Sequence, residues 1–312
     1  MRGGRCWPAT YLGPPLNVED VLFTTDSSLA RQAYSPRMMA SFLNLAGFGM
    51  VAWDPDSRMP EAPFVYRTTT LPAFDRNLEN LARKIAPRSL LAHVRGVSNS
   101  PEEVISQQNV HPFLYSGAHV ALAHNGLLRD FGRMRHALLE FIRPELAQRI
   151  EGTTDSEWLY VLLLSQLDDP CGIPDADELV AAVAQTLSIV RRVRERHDIR
   201  VSSPVNLFVS TGQCVIVTRF SFDYGWYPPE DRAFLEWDLA YVSLWYTLGD
   251  EYLERGGEWM MTPAGDRPRS LILASEPLTR DVSTWLEVPE YSMLTAWIKD
   301  DGLRFQALDL DV

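Results

Sequence analysis

The sequence predicts an α+β fold, in which antiparallel strands and helices form separate packed layers. Three observations lead to this class. Stretches typical of strands and of helices alternate in blocks along the 312 residues, and not in strict strand–helix–strand units. Two strand blocks contain a turn signal at their centre, which predicts antiparallel hairpins. No internal repeat and no low-complexity linker interrupts the chain. Antiparallel layers are therefore favoured over a doubly wound parallel sheet.

The first half of the chain contains one predicted helix and two predicted strands. Residues 74–86, FDRNLENLARKIA, carry apolar residues near helical spacing. Residues 89–97, SLLAHVRGV, are a short apolar run between turn-prone ends, which is typical of a buried strand. Residues 118–126, AHVALAHNG, follow the same pattern and predict a second strand.

Two helices are predicted in the middle of the chain. Residues 153–167 begin with Thr154 followed three positions later by Glu157, a capping-box pattern that satisfies the first free amides of a helix. Residues 175–197 form a long amphipathic pattern with a basic end, which suits the negative end of the helix dipole.

The last third of the chain is rich in strand signals. Residues 204–220 are two β-rich runs around a Thr-Gly pair, and residues 291–308 repeat this pattern around an Asp-Gly pair. Both segments therefore predict hairpins. Residues 221–238 hold many aromatic residues and two prolines, so we expect an irregular loop that covers a pocket.

Composition excludes several classes of function. The net charge of −12 argues against binding to nucleic acid or to an anionic membrane, because no excess of basic residues is present to neutralise phosphates. No run of 18 apolar residues and no secretory signal occurs, so a cytoplasmic protein is expected. The chain has no metal-binding pattern and no nucleotide-binding loop, and we predict neither a metal nor a cofactor. An odd number of widely spaced cysteines predicts no disulfide framework; they are Cys6, Cys171 and Cys214.

Two early residues have alternative readings. Cys6 is either a small buried apolar residue or a nucleophile, since both roles are common for a free cysteine. His93 and Arg95 alternate along the predicted strand and therefore point to the same face. An arginine on a mostly apolar strand needs an anionic partner, which is either an internal carboxylate or the carboxylate of a ligand.

Residues at the end of the second strand and at the start of the following helix also carry alternatives. Asn125 and Gly126, after His124, form either a plain turn or a pair of N–H donors aimed at one oxyanion. Asp155 either stabilises the start of its helix or accepts a substrate ammonium. His111 precedes a proline and has a structural alternative at a strand edge.

Six stretches together resemble the class II glutamine amidotransferases, which are N-terminal-nucleophile (Ntn) hydrolases. The resemblance is closest to the small stand-alone group that includes the ergothioneine-pathway γ-glutamyl hydrolase and the glutathione-degrading amidotransferase subunit of yeast. It runs through nearly the whole chain and implies one domain over residues 1–312, folded as a four-layer αββα sandwich of two antiparallel sheets between helices. The stretches, in family order, are residues 6–13, 47–49, 93–95, 111–113, 124–126 and 152–157.

The resemblance implies a role for each candidate residue. Cys6 is the expected nucleophile, and its free α-amine, which titrates at about pH 8, is the expected base. Asn125 and Gly126 are expected to hold the tetrahedral oxyanion. Arg95 is expected to bind the substrate α-carboxylate, and Asp155 its α-ammonium. The resemblance also places two histidines on the substrate side of the site, His111 and His124.

The sequence departs from the family pattern in three places. Residues 1–5 precede Cys6, whereas relatives often begin with this cysteine directly after the initiator Met. The true start lies elsewhere, or the leader is a propeptide that is removed, or the protein is unprocessed and impaired. The second departure is Trp7-Pro8 in place of Arg-Trp. In residues 44–53, Ala46 replaces an acid and Val51 a glycine, which predicts a reshaped pocket.

The implied activity is hydrolysis of a γ-glutamyl amide, either glutamine or a γ-glutamyl metabolite, through a thioester that releases glutamate. Two alternatives remain open. The chain is a glutaminase subunit that delivers ammonia to a partner, or a non-catalytic homologue that binds a γ-glutamyl ligand. The expected partners are the small-molecule substrate and either a second copy of the chain or a synthetase or peptidase subunit.

Overall fold

Two antiparallel sheets face each other in the computed structural model, with helices on the outer face of each sheet. The model describes residues 6–38, 45–96, 104–226, 243–299 and 302–312. The predicted α+β class and the four-layer αββα sandwich are therefore confirmed.

The strands within these ranges are, in chain order, β1 (Trp7–Leu12), β2 (Leu45–Trp53), β3 (Phe64–Thr68), β4 (Ser89–Gly96), β5 (Ala121–Gly126), β6 (Ser203–Ser210), β7 (Cys214–Arg219), β8 (Ser221–Phe222), β9 (Trp245–Gly249), β10 (Tyr252–Arg255), β11 (Glu258–Met261), β12 (Ser270–Ala274), β13 (Leu286–Glu287), β14 (Ser292–Lys299) and β15 (Gly302–Asp309). The helices are α1 (Leu29–Gln32), α2 (Arg76–Ala82), α3 (Phe131–Leu138), α4 (Pro144–Ala147), α5 (Asp155–Gln166) and α6 (Ala176–Arg196).

The two sheets are assembled from different parts of the chain. The first has the order β13-β9-β12-β1-β4-β2-β3. Its central strand β1 therefore lies between β12 and β4, which are far apart in sequence. The second has the order β15-β14-β7-β6-β5, with the short β8 paired to β6. A separate hairpin is formed by β10 and β11. All strand pairs in the described part of the chain are antiparallel, and many of them join strands that lie far apart in sequence, such as β1 with β12 and β5 with β6.

Three apolar layers hold the sandwich together. The layer between the sheets contains Leu12 and Leu91 from the first sheet and Ala123 and Phe208 from the second. The other face of the second sheet packs against α3 to α6, and the other face of the first sheet packs against α1 and α2. Because side chains alternate along a strand, each sheet residue faces either the inter-sheet layer or a helix layer.

The predicted strands of the first half agree closely with the structure. The segment predicted at 89–97 is β4, which ends at Gly96, and the segment predicted at 118–126 is β5, which begins only at Ala121. Residue 97 lies outside the described residues. The helix predicted at 74–86 is the shorter α2, which ends at Ala82. It begins at Arg76 because the Asp75 carboxylate caps it by accepting from the amides of Asn77 and Leu78.

The capping box predicted at the start of α5 forms only in part. The Thr154 hydroxyl accepts from the Glu157 amide at 3.3 Å, as predicted. The Glu157 carboxylate does not complete the box; it accepts from the backbone amides of Glu151 and Gly152 at 3.1 and 2.6 Å. It therefore fixes the segment before the helix rather than the cap residue. The long α6 begins after Asp175, whose carboxylate accepts from the Glu178 amide at 2.8 Å.

Both predicted hairpins are present. The first is β6–β7, with Gly212 of its Thr-Gly pair in the left-handed region at φ 84°. The second is β14–β15, in which Lys299 pairs with Gly302. The irregular loop predicted at 221–238 is wrong at its first two residues, which form β8; residues 227–238 lie outside the described residues. None of the helices in the described part of the chain has the length and apolar character of a membrane span.

Candidate active site

Cys6 lies at the end of the central strand of the first sheet. It immediately precedes β1, and the β1–β4 register, in which Trp7 faces Val94, places it beside the end of β4. Its thiol contacts the Gly96 carbonyl oxygen at 3.8 Å, and the residue is buried. The sulfur therefore sits next to the segment that carries Arg95, although 90 residues of sequence separate Cys6 from Gly96.

Arg95 points into the layer between the two sheets. Leu91 faces this layer, so the alternation of side chains along β4 places His93 and Arg95 on the same face. The structure therefore agrees with the prediction that His93 and Arg95 share one face of the strand. The Arg95 guanidinium is buried, and its Nη1 donates to the Val104 carbonyl oxygen at 3.3 Å.

Asn125 faces the same layer from the second sheet. Ala121 and Ala123 line the inter-sheet layer, and the alternation along β5 continues this face to Asn125. β1 and β4 both lie close to β5 across the layer. Asn125 is 1% exposed, and neither atom of its side-chain amide has a hydrogen-bond partner among the described residues. A buried, unpaired amide is destabilising by about 1–3 kcal/mol, so its presence at this position calls for a physical explanation.

Gly126 is required by close approach of the backbone rather than by an unusual dihedral angle. It belongs to β5 and pairs with Val205, and its φ is not in the left-handed region. A Cβ at this position would collide with the carbonyl oxygen of Pro204 and would lie 2.5 Å from His124 Nε2. The plain-turn alternative for Asn125 and Gly126 is therefore wrong, because both residues continue a paired strand.

Asp155 and His124 belong to one hydrogen-bonded cluster at the start of α5. The Asp155 carboxylate accepts from the Leu128 amide at 2.6 Å and from the Ser156 hydroxyl at 3.2 Å. The same hydroxyl lies 2.9 Å from His124 Nδ1. Asp155 therefore joins α5 to the chain that leaves β5, and Thr154 rather than Asp155 is the cap of the helix.

His111 bridges the two sheets beside these groups. Its Nδ1 lies 3.2 Å from His93 Nε2 and accepts from the His124 amide at 3.4 Å. The His111 carbonyl lies against Gly49 of β2, where no side chain could fit. His111 is therefore buried between the sheets, where its ring contacts residues of both of them.

The three imidazoles are held in their neutral forms. Burial lowers the pKa of His93 to about 3, and Arg95 nearby contributes in the same direction. Burial and the neighbouring His93 also hold the pKa of His111 well below its usual range. Burial lowers the pKa of His124, although the Asp155 carboxylate opposes the shift. A neutral pair is chemically consistent with the short ring contact, since two imidazolium ions would repel each other.

We expect acidification to destabilise the fold through His93. The unfolded residue titrates at about pH 6.5 and the folded one at about 3, so the unfolded chain binds the proton first. The stabilisation is complete above about pH 6.5 and is lost as the pH falls toward 3. By pH 5 the free energy of unfolding should have fallen by about 2 kcal/mol for this residue. Urea unfolding of wild type and His93→Gln at pH 7.5 and 5 measures the difference.

The pH range above 6.5 serves as the control, because there the residue at position 93 should add no pH dependence to the free energy of unfolding of either protein. Between pH 6.5 and 5 the wild type should lose about 2 kcal/mol more than His93→Gln. An equal acid loss in both proteins would contradict the assignment of His93 as a buried neutral group.

Two residues of this region were not assigned a role from the sequence. Asn109 lies just before the 111–113 stretch of the resemblance, and its side-chain hydrogen bonds depend on tertiary contacts. Arg67 on β3 carried no signal, because an arginine on an edge strand is ordinarily exposed. Here its Nε and Nη2 are buried without partners among the described residues, and burial lowers its pKa.

Other parts of the described chain are separate from this cluster. A cavity of about 640 Å³ lies at the opposite end of β1 and is lined by Leu12, Trp53, Arg88 and Arg269, among other residues. It shares none of its lining with the residues around Cys6. Within the described ranges, no three histidine, cysteine or acidic side chains converge in a way that could hold a metal ion.

Comparison with known proteins gives a consistent family likeness. The family model described as glutamine amidotransferases class-II matches residues 24–221, which is more than half of the chain. The probable glutamine amidotransferase DUG3 of Saccharomyces cerevisiae is 27% identical over 297 residues, covering 90% of this chain and 78% of the yeast protein.

Two solved structures share the fold. The glutamine aminotransferase class-II domain protein of Silicibacter pomeroyi superposes with a TM-score of 0.59 at 21% identity, covering 98% of this chain and all of the other. The glutamine phosphoribosylpyrophosphate amidotransferase of B. subtilis gives a TM-score of 0.55 at 18% identity, over 98% of this chain and 50% of the larger protein. At these identities the likeness concerns the fold alone.

Proposed function

This chain belongs to the class-II glutamine amidotransferases, and from that premise we propose that it hydrolyses the γ-amide of a glutamyl compound through a thioester on Cys6. One observation carries the proposal most directly. Asn125 presents a buried amide without a partner among the described residues, toward the same inter-sheet layer that Cys6 and Arg95 border. Free donors beside a thiol are what acyl transfer requires.

The first chemical step is attack of the Cys6 sulfur on the amide carbon. The thiol proton passes to the α-amine of the same residue, directly or through a water, once that amine is the free end of the chain. The amide oxygen becomes an oxyanion as the C–S bond forms. The Nδ2 group of Asn125 and the backbone N–H of Gly126 stabilise this charge in the tetrahedral intermediate.

The second step breaks the carbon–nitrogen bond. The protonated α-amine returns its proton to the leaving nitrogen, which departs as ammonia or as an amine, and the acyl group stays on Cys6 as a thioester. Water then attacks the thioester with the α-amine again as base, which releases glutamate and regenerates the thiol. Only the amide substrate and water are consumed.

Recognition of the substrate uses two opposite charges. A γ-glutamyl group carries an α-carboxylate and an α-ammonium on one carbon. The buried Arg95 guanidinium supplies the cation for the carboxylate, and the Asp155 carboxylate supplies the anion for the ammonium. His124 supports the Asp155 carboxylate through the Ser156 hydroxyl, and His111 accepts from the His124 amide on β5.

The substrate is a γ-glutamyl metabolite rather than free glutamine. The segment next to the site departs from the family pattern at Ala46 and Val51, which are fully buried in β2. β2 also has a register irregularity between Leu45 and Gly47, and Gly47 pairs with Arg95. Ala46 and the register irregularity lie beside the pairing partner of Arg95, whereas Val51 pairs with Leu91 further along β4. A change of shape in this strand alters which amides fit.

A glutamate-release assay tests the proposal. The protein is prepared with Cys6 as the first residue and is given glutamine, glutathione and a panel of γ-glutamyl amines. We expect glutamate release from at least one γ-glutamyl amine or peptide, with a higher kcat/KM than for glutamine. Preference for glutamine would favour a glutaminase subunit that passes ammonia to a partner. No release from any substrate would contradict the hydrolase and favour the non-catalytic binder.

A further inference from the structure

Asn109, in the segment that crosses between the two sheets, forms hydrogen bonds through both the nitrogen and the oxygen of its side-chain amide. It is 1% exposed. Its Nδ2 donates to the Val104 carbonyl at 2.9 Å and to the Thr153 hydroxyl at 3.0 Å, and its Oδ1 accepts from the Thr153 amide at 2.9 Å. A single side chain thus joins two segments that lie 44 residues apart in sequence.

The first of these segments, which includes Val104, accepts a hydrogen bond from the Arg95 side chain. The Val104 carbonyl that accepts from Asn109 also accepts from Arg95 Nη1 at 3.3 Å. The position of this carbonyl therefore depends on both donors. Loss of the Asn109 bond would free the backbone at Val104 and remove a fixed point for the guanidinium.

The second segment leads into Asp155. Thr153 lies two residues before Asp155, and the turn that precedes it is packed against Asn109 so closely that a Cβ on Gly152 would collide with Asn109 Oδ1. Glu157 holds the same turn from the other side, through the amides of Glu151 and Gly152. The start of α5 is therefore positioned by Asn109 in addition to its own cap, Thr154.

We propose that Asn109 is a positioning residue that sets the distance between Arg95 and Asp155, and with it the selectivity for a substrate head that carries both an α-carboxylate and an α-ammonium. This inference rests on the proposed function, because the roles of Arg95 and Asp155 come from it. Asn109 touches neither the sulfur nor the oxyanion donors through any of its own hydrogen bonds, so its effect falls on recognition rather than on the acyl-transfer step.

Two chromogenic substrates separate these effects. γ-Glutamyl-p-nitroanilide carries both charges, whereas glutaryl-p-nitroanilide keeps the carboxylate and lacks the ammonium. For Asn109→Ala we expect the ratio of kcat/KM between the two to fall about tenfold, with the loss mainly in KM for the γ-glutamyl substrate. Thr153→Val, which removes only the hydroxyl acceptor, should shift the ratio in the same direction by a smaller factor.

The matched control is Gln166→Ala at the far end of α5. Its side-chain amide also donates to two carbonyls, those of Phe141 and Leu162, at 3.3 and 2.9 Å. General loosening of the helix would lower both substrates equally in either variant. The inference is overturned if folded Asn109→Ala keeps the wild-type ratio within about twofold, or if Gln166→Ala changes it as much. If Asn109→Ala does not fold, Thr153→Val replaces it, and an unchanged ratio in that variant overturns the inference.

A binding measurement keeps this inference separate from the hydrolysis itself. On a Cys6→Ala background, titration calorimetry compares L-glutamate with glutarate. We expect Asn109→Ala to weaken glutamate about tenfold more than glutarate. If wild type hydrolyses nothing and this difference still appears, the proposed hydrolysis fails and the role of Asn109 stands. If the difference is absent, the role of Asn109 fails whatever the activity.

Discussion

Cys6→Ala should abolish glutamate release, with kcat/KM falling by a factor of at least about 10⁴, because removal of a covalent nucleophile leaves only binding and oxyanion stabilisation. Of the three cysteines, only Cys6 lies beside Arg95 and contacts the Gly96 carbonyl. Cys214 cannot replace it, because burial raises the pKa of that thiol to about 12. The measurement is the initial rate of glutamate release. It compares wild type with Cys6→Ala, both prepared with position 6 as the first residue.

Cys214→Ala is the matched control, since it removes a second buried thiol and leaves the candidate site intact. It should keep kcat/KM within about twofold of wild type. Thioester formation gives a second readout, because wild type incubated with substrate and quenched in acid should carry a glutamyl group that Cys6→Ala lacks. Retained activity in Cys6→Ala would show that the reaction uses another nucleophile.

Asn125→Ala should lower kcat by roughly 10²–10³-fold and leave KM nearly unchanged, since an oxyanion donor acts mainly in the transition state. The reason lies in the unpaired amide: a donor without a protein partner in the folded molecule is available for a developing charge. Steady-state rates on the best γ-glutamyl substrate measure the change. The fold should not be weakened greatly, because no hydrogen bond to a described residue is lost.

Thr295→Val is the control for this prediction. The Thr295 hydroxyl on β14 is also buried without a partner among the described residues. It lies in the second sheet, and its neighbours Leu294 and Ala296 face the inter-sheet layer, so Thr295 points to the opposite face. Its replacement by valine should leave kcat within about twofold and should maintain or raise the thermal midpoint. If Asn125→Ala behaves like Thr295→Val, the amide is only an unsatisfied core group, and the oxyanion assignment is wrong.

Local patterns in the sequence predicted the elements that carry the candidate residues. The alternation along residues 89–97 placed His93 and Arg95 on one face, and β4 has this face directed into the inter-sheet layer. The Thr-Gly signal predicted the β6–β7 hairpin, since its glycine takes a positive φ. These features depend on neighbouring residues, which is why the sequence could predict them.

Features that depend on distant contacts could not be predicted in the same way. The Glu157 carboxylate was expected in a capping box, but the turn at Glu151 and Gly152 offers it two amides and competes with the cap. The depth of His111 between the sheets follows from the absence of a side chain at Gly49, a contact across the fold. The resemblance supplied the roles of Cys6, Asn125 and Asp155, and these roles remain predictions.

The central place of β1 bears on when the first sheet is completed during synthesis of the chain. β1 lies between β4 and β12, so one of its two hydrogen-bonded edges stays open until the ribosome has made residues 270–274. Translation adds about 5–20 residues per second, so the nascent chain carries an incomplete sheet for many seconds. The sheet that surrounds β1 is therefore completed only late in translation, after β12 has been made.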